Sequence, residues 1–157
     1  MRFPAIFSAL LVLAACSPGG DDAPADPVEN AWVRLPAVDG RPAAAYFDLN
    51  GGEAGDTLLA IDSPRVETIE LHETMEMEGG MDGAMRMQPV MSVEIPADET
   101  VSFAPGGLHA MLFDIDDDVT PGTPLTLNFR FDSGRDIQVE AVTIGVGDEP
   151  PFSDENN

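Results

Sequence analysis

A chain of 157 residues has room for one domain with a buried core, and 43% hydrophobic with 23% charged residues is an ordinary globular balance. The charge is one-sided: 29 acidic residues face 7 arginines, there is no lysine, and the formal net charge is −22. Nucleic acid is thereby excluded as a partner, because phosphate contacts need clustered cations. The acidity describes instead a solvated, self-repelling surface that also attracts cations.

In chain order, the start MRFPAIFSALLVLAACSPGG sets a cationic residue before an apolar run from Phe3 to Ala15. That run is shorter than the about 20 residues needed to span a bilayer, so residues 1–15 read as an export signal removed on maturation. Leu13-Ala14-Ala15-Cys16 resembles the bacterial lipobox. The resemblance implies that Cys16 is diacylated and becomes the mature N-terminus, with Ser17 permitting onward sorting to an outer membrane. Cys16 is the only cysteine, so no intramolecular disulfide can form. Residues 16–27, rich in Pro, Gly and Asp, cannot repay the entropy of ordering and read as a flexible tether. Residues 148–157 read as an acidic disordered tail for the same reason.

Between them, over 28–147, the chain breaks into short β-branched and aromatic runs: NAWVRLP, AAAYFDLN, TLLAID, VETIELH, AMRMQPV, TVSFAP, LHAMLFDI, PLTLNFRF and DIQVEAVTI. Turn signals such as DG, NGG, EGG, PGG, TPG and DSG fall between them. No run sustains helical periodicity, and the pattern predicts an all-β antiparallel sandwich or small barrel. In PLTLNFRF, the alternation places Leu125, Leu127, Phe129 and Phe131 inward, with Thr126, Asn128 and Arg130 outward.

The residues that carry chemistry are concentrated. Seven of the eight methionines, at 75, 77, 81, 85, 87, 91 and 111, lie in one window that also holds the only two histidines, His72 and His109. Methionine commonly fills core gaps, a role expected of Met91 above all. The run MEMEGGMDGAM, however, has glycines and acids where a packed strand would carry Val, Ile or Leu. Thioether sulfur is a soft, neutral donor that prefers Cu(I), and imidazole suits copper in either state, whereas zinc more often recruits cysteine or carboxylate. Strand geometry points His109 and Met111 the same way, and Met85 and Met87 likewise around Arg86.

These residues resemble the periplasmic copper chaperone family called PCuAC, with its pattern H-x10-M-x21-H-x-M. Met87 and His109 are separated by 21 residues and His109-Ala110-Met111 supplies H-x-M, whereas 14 residues separate His72 from Met87 where the pattern has ten. AWVRLP, ELHE, MRMQPV and IPADETVSFAPGGLHAMLFDI extend the likeness over roughly residues 28 to 146. The resemblance implies a cupredoxin-like β-sandwich and a Cu(I) site formed by His72, Met87, His109 and Met111. Met75 and Met85 are substitutes for the second ligand, and two roles stay open for Met75, Met77, Met81 and Met85 on their glycine-rich loop: accessory donors that catch incoming Cu(I), or tolerated apolar residues. It also implies a non-enzymatic role in the cell envelope: delivery of copper to the Cu(A) site of a respiratory oxidase, with its subunit II or another copper chaperone as partner.

Other classes fit less well. A blue-copper carrier needs a cysteine thiolate within the domain. There is no G-x-S-x-G or H-E-x-x-H for a hydrolase. DIDDDVTPG lacks the sixth-position glycine and the terminal glutamate of a calcium loop. Two alternatives stay open from the residues: a copper-scavenging lipoprotein with the same ligands, and a metal-free module whose methionines grip an apolar peptide.

Overall fold

The computed structural model describes residues 26–38, 40–76 and 85–152. The expected signal, Cys16, Ser17, most of the tether, Met77, Met81 and the last five residues lie outside them. Ten strands and no helix make up the described part: β1 (Val28–Arg34), β2 (Ala43–Asn50), β3 (Asp56–Asp62), β4 (Val66–Glu76), β5 (Met85–Pro89), β6 (Val93–Ile95), β7 (Thr100–Phe103), β8 (Leu108–Ile115), β9 (Leu125–Phe131) and β10 (Asp136–Ile144). All nine apolar runs of the sequence are strands. β6 is the addition, a three-residue segment too short to show a period. Its Val93 and Ile95 are nevertheless buried, held in place by pairing with β3.

The strands follow one path, β5-β4-β8-β2-β1-β10-β9-β3-β6, with β7 also on β2. Pairing is antiparallel as expected, with one exception. β1 and β10 run parallel, Trp32 beside Val142, and join the β5-to-β1 half of the path to the β10-to-β6 half. A parallel pair needs a long crossover, and here almost the whole domain serves as one. Inward residues alternate along β2 as Ala43, Ala45, Phe47 and Leu49, and along β9 as Leu125, Leu127, Phe129 and Phe131. Phe47 meets Phe129 edge-on at 4.8 Å and stacks on Phe103 at 4.3 Å, so the two halves close on each other through aromatic contact.

Two features lock one end of this sandwich. Gly51 lies so close to the β6–β7 connection that a Cβ there would sit 2.0 Å from the Pro96 carbonyl oxygen, while its amide donates to Glu99 O at 2.9 Å. Nearby, Asp56 is almost fully enclosed, its side chain 3% exposed. Burial alone would raise its pKa. Hydrogen bonds from Ser133, Arg135 and the amides of Thr57 and Ser133 outweigh that and hold the carboxyl down at about 2. On the outer face of β1, Trp32 packs against Tyr46 at 4.4 Å, and Arg34 donates to Gly145 O and Asp148 O. The chain after β10 is thereby drawn along the sheet, where Pro150 and Phe152 line a groove with Trp32 and Phe103.

Candidate metal centre

β4 and β8 are antiparallel neighbours in a register that sets Leu71 against Ala110, His72 against His109 and Glu70 against Met111. Directly opposed residues share a face, and successive residues alternate. Leu71, Ala110 and Leu112 therefore enter the core. His72, His109, Met111 and Glu70 share the other face. β4 runs on to Glu76, past its last apolar residue, because β5 pairs with its end: Pro89 lies opposite His72, Thr74 opposite Met87 and Glu76 opposite Met85. His72 and Met87 thus both stand on paired strands despite the longer spacing between them.

The two imidazoles are tilted 32° to each other with ring centres 5.9 Å apart. A metal ion held about 2 Å from a ring nitrogen lies roughly 3 Å from the ring centre, so two imidazoles sharing one ion have centres about 5 to 6 Å apart. The observed spacing is of that size. Each ring is also tied by one nitrogen. His109, only 6% exposed, has Nδ1 3.0 Å from Gly107 O, a carbonyl that can only accept, so Nδ1 carries the proton and Nε2 is the lone-pair nitrogen. His72 Nε2 lies 3.0 Å from the Glu70 carboxylate, and its Nδ1 is buried with no hydrogen-bond partner among the described residues. An orphaned imidazole nitrogen beside a second imidazole is suited to a metal ion.

The methionines separate by register. Met111 follows His109 on the same face, opposite Glu70 on one side and Ala44 of β2 on the other. Met87 is the diagonal neighbour of His72 across β4 and β5, a distance of about 7–8 Å that a long side chain spans. Met85, on the same face, is two residues further along, about 7 Å more. Both are more than half exposed. Met75 belongs to the opposite face, across from Arg86, where the Gln88 amide reaches its sulfur at 3.8 Å. The fold does not bring it to the histidines. Met91, expected in the core, is 90% exposed just before β6. Among the described residues, no three His, Cys, Asp or Glu side chains converge as a metal-binding group. Glu70 went unnoticed in the sequence reading; the pattern E-x-H within a strand is the signal that could have revealed it.

A family model described as "Putative lipoprotein LpqE-like" matches residues 27–144. The chain belongs to the LpqE-like family. Among curated proteins, this LpqE-like chain is 31% identical over 123 residues to "Putative lipoprotein Lxx21020" of Leifsonia xyli subsp. xyli (strain CTCB07), spanning 77% of this chain and 70% of that protein. Among solved structures, it is similar to Cu(I)-bound DR1885 from Deinococcus radiodurans, with a TM-score of 0.58 and 28% identity over 78% of this chain and 81% of the other. It is also similar to the copper-bound PCuAC domain from PmoF2, with a TM-score of 0.60 and 19% identity over 75% and 91%. The LpqE-like domain has the cupredoxin-like fold of PCuAC domains, as the sequence resemblance implied.

Proposed function

We propose that this protein is a Cu(I) carrier of the bacterial cell envelope that holds the ion between His72, His109, Met111 and Met87. The reading rests above all on His72 and His109 standing opposite each other, each with one ring nitrogen tied and the other left as a donor. Two imidazoles do not complete a site. No further His or Cys and no suitable pair of carboxylates converges on them among the described residues, so thioethers are the donors within reach. A set of imidazole and thioether selects Cu(I) over hard cations. Similarity to copper-bound DR1885 and PmoF2 supports this choice.

Holding the ion on one face of a sheet, near an edge strand with exposed methionines, suits transfer by ligand exchange. Delivery to the Cu(A) site of oxidase subunit II is the destination that the PCuAC resemblance favours. Acylation of Cys16, in keeping with the lipoprotein names of the family and of the relative, would keep the carrier at the membrane. The test is titration of the full chain with Cu(I) against a competing chelator, with ligation read by X-ray absorption. One tightly bound ion with mixed nitrogen and sulfur ligands is expected. Oxygen-dominated ligation, or no binding, would overturn the assignment. Transfer from the loaded protein to a soluble Cu(A) domain separates a carrier from a store.

A further inference from the structure

Among the described residues, one buried side-chain nitrogen or oxygen lacks any hydrogen-bond partner, and it is His72 Nδ1. Its counterpart Nε2 is held 3.0 Å from Glu70 Oε2. A carboxylate accepts and cannot donate, so Nε2 carries the proton and Nδ1 the lone pair. Turning the ring over would put a carbon against the carboxylate and forfeit that bond, so the hydrogen bond fixes the ring's orientation as well as its tautomer. The alternation of β4 makes the contact possible, since residues 70 and 72 share a face. Glu70 is half exposed, and its oxygen is a hard donor that Cu(I) does not favour.

We infer that Glu70 is a positioning residue: it fixes His72 as the Nε2–H tautomer and makes Nδ1 the copper-binding nitrogen, whereas His109, tied at Nδ1 by the Gly107 carbonyl, binds through Nε2. The inference rests on the copper reading and refines it. The two histidines, equivalent in register, are then inequivalent as ligands. One is held by a charged acceptor that strengthens its donor character, the other by a neutral backbone carbonyl.

Long-range proton–nitrogen NMR of the full chain, with labelled histidine, tests this. Without metal, His72 should show a protonated Nε2 and a bare Nδ1. On adding one equivalent of Cu(I), the resonances that move as coordinated nitrogens should be His72 Nδ1 and His109 Nε2. Glu70→Ala should give His72 mixed tautomers and lower Cu(I) affinity by about tenfold or more. Glu70→Gln, which keeps an acceptor oxygen, should retain the tautomer and most of the affinity, and Glu67→Gln, on the same strand, should change neither. A protonated Nδ1 on metal-free His72, coordination through its Nε2, or an unchanged tautomer in Glu70→Ala would overturn the inference while leaving copper binding intact. Histidines that ignore Cu(I) in the unsubstituted chain would overturn the copper reading and this refinement together.

Discussion

The two faces of β4 and β8 are separated by one residue in sequence and differ in kind. On one, Leu71, Ala110 and Leu112 are closed into the sandwich. On the other, His72, His109 and Met111 meet in the same register. The core face tolerates nothing polar because the second layer covers it, whereas the outer face holds polar donors that the fold does not need. His109 is buried on that outer face almost as deeply as Ala110 on the inner one, so burial alone does not tell a structural residue from a functional one. What separates them is the partner: apolar contact for one, a carbonyl and an open nitrogen for the other.

The separation can be broken from either side. The largest effect belongs to the core. Phe47→Ala, which removes the ring that bridges Phe103 and Phe129, should destabilise the fold by about 3–5 kcal/mol, seen as a lower midpoint in denaturant unfolding. Any copper binding it loses should return under conditions that restore folding.

On the opposite face the outcome should invert. His109→Ala is expected to weaken Cu(I) binding by at least about a hundredfold, more than loss of an outer hydrogen-bond partner does, in a chelator competition. Met111→Leu, a near-isosteric change, should weaken binding while shifting stability by less than about 1.5 kcal/mol. If Met111→Leu unfolds the protein, the two faces are not independent.

Acid should part them again. Imidazole gives up its lone pair to a proton whereas thioether does not, so acid should weaken copper binding without abolishing the thioether contribution. Because the folded-state pKa of Asp56 is depressed to about 2, its contribution is fully present above the ordinary carboxylate range. It should be lost as pH falls through about 4 toward 2. That contribution is on the order of 2 kcal/mol, and Asp56→Asn should flatten the acid limb of a stability-against-pH curve.

The smallest effect sharpens the comparison within β4 and β5. Met87→Leu should reduce Cu(I) affinity. Met75→Leu, on the other face, and Met91→Leu should leave it unchanged within error. Equal losses for Met75 and Met87 would mean that the register of β5 is not what selects the donor.

Much of this was legible in the residues. Leu125, Leu127, Phe129 and Phe131 announced their inward face because a half-buried strand alternates with a period of two, and burial enforces it. His109-Ala110-Met111 announced a shared direction by the same rule. β6 stayed hidden because three residues are too few for a period, and Met91 was misplaced because methionine suits core and surface alike. The parallel β1–β10 pair was not legible either, since strand direction depends on which distant strand becomes the neighbour.

By itself, the sequence determined the all-β class, the positions of every strand but β6 and the kinds of donor, since alternation and side-chain chemistry are local properties written at each residue. Only the tertiary structure decided that His72 lies opposite His109, that Met87 and not Met75 faces them, and that Glu70 holds one ring. Those outcomes follow from pairing register between strands far apart in the chain, and a slip of one residue would send every donor to the other face.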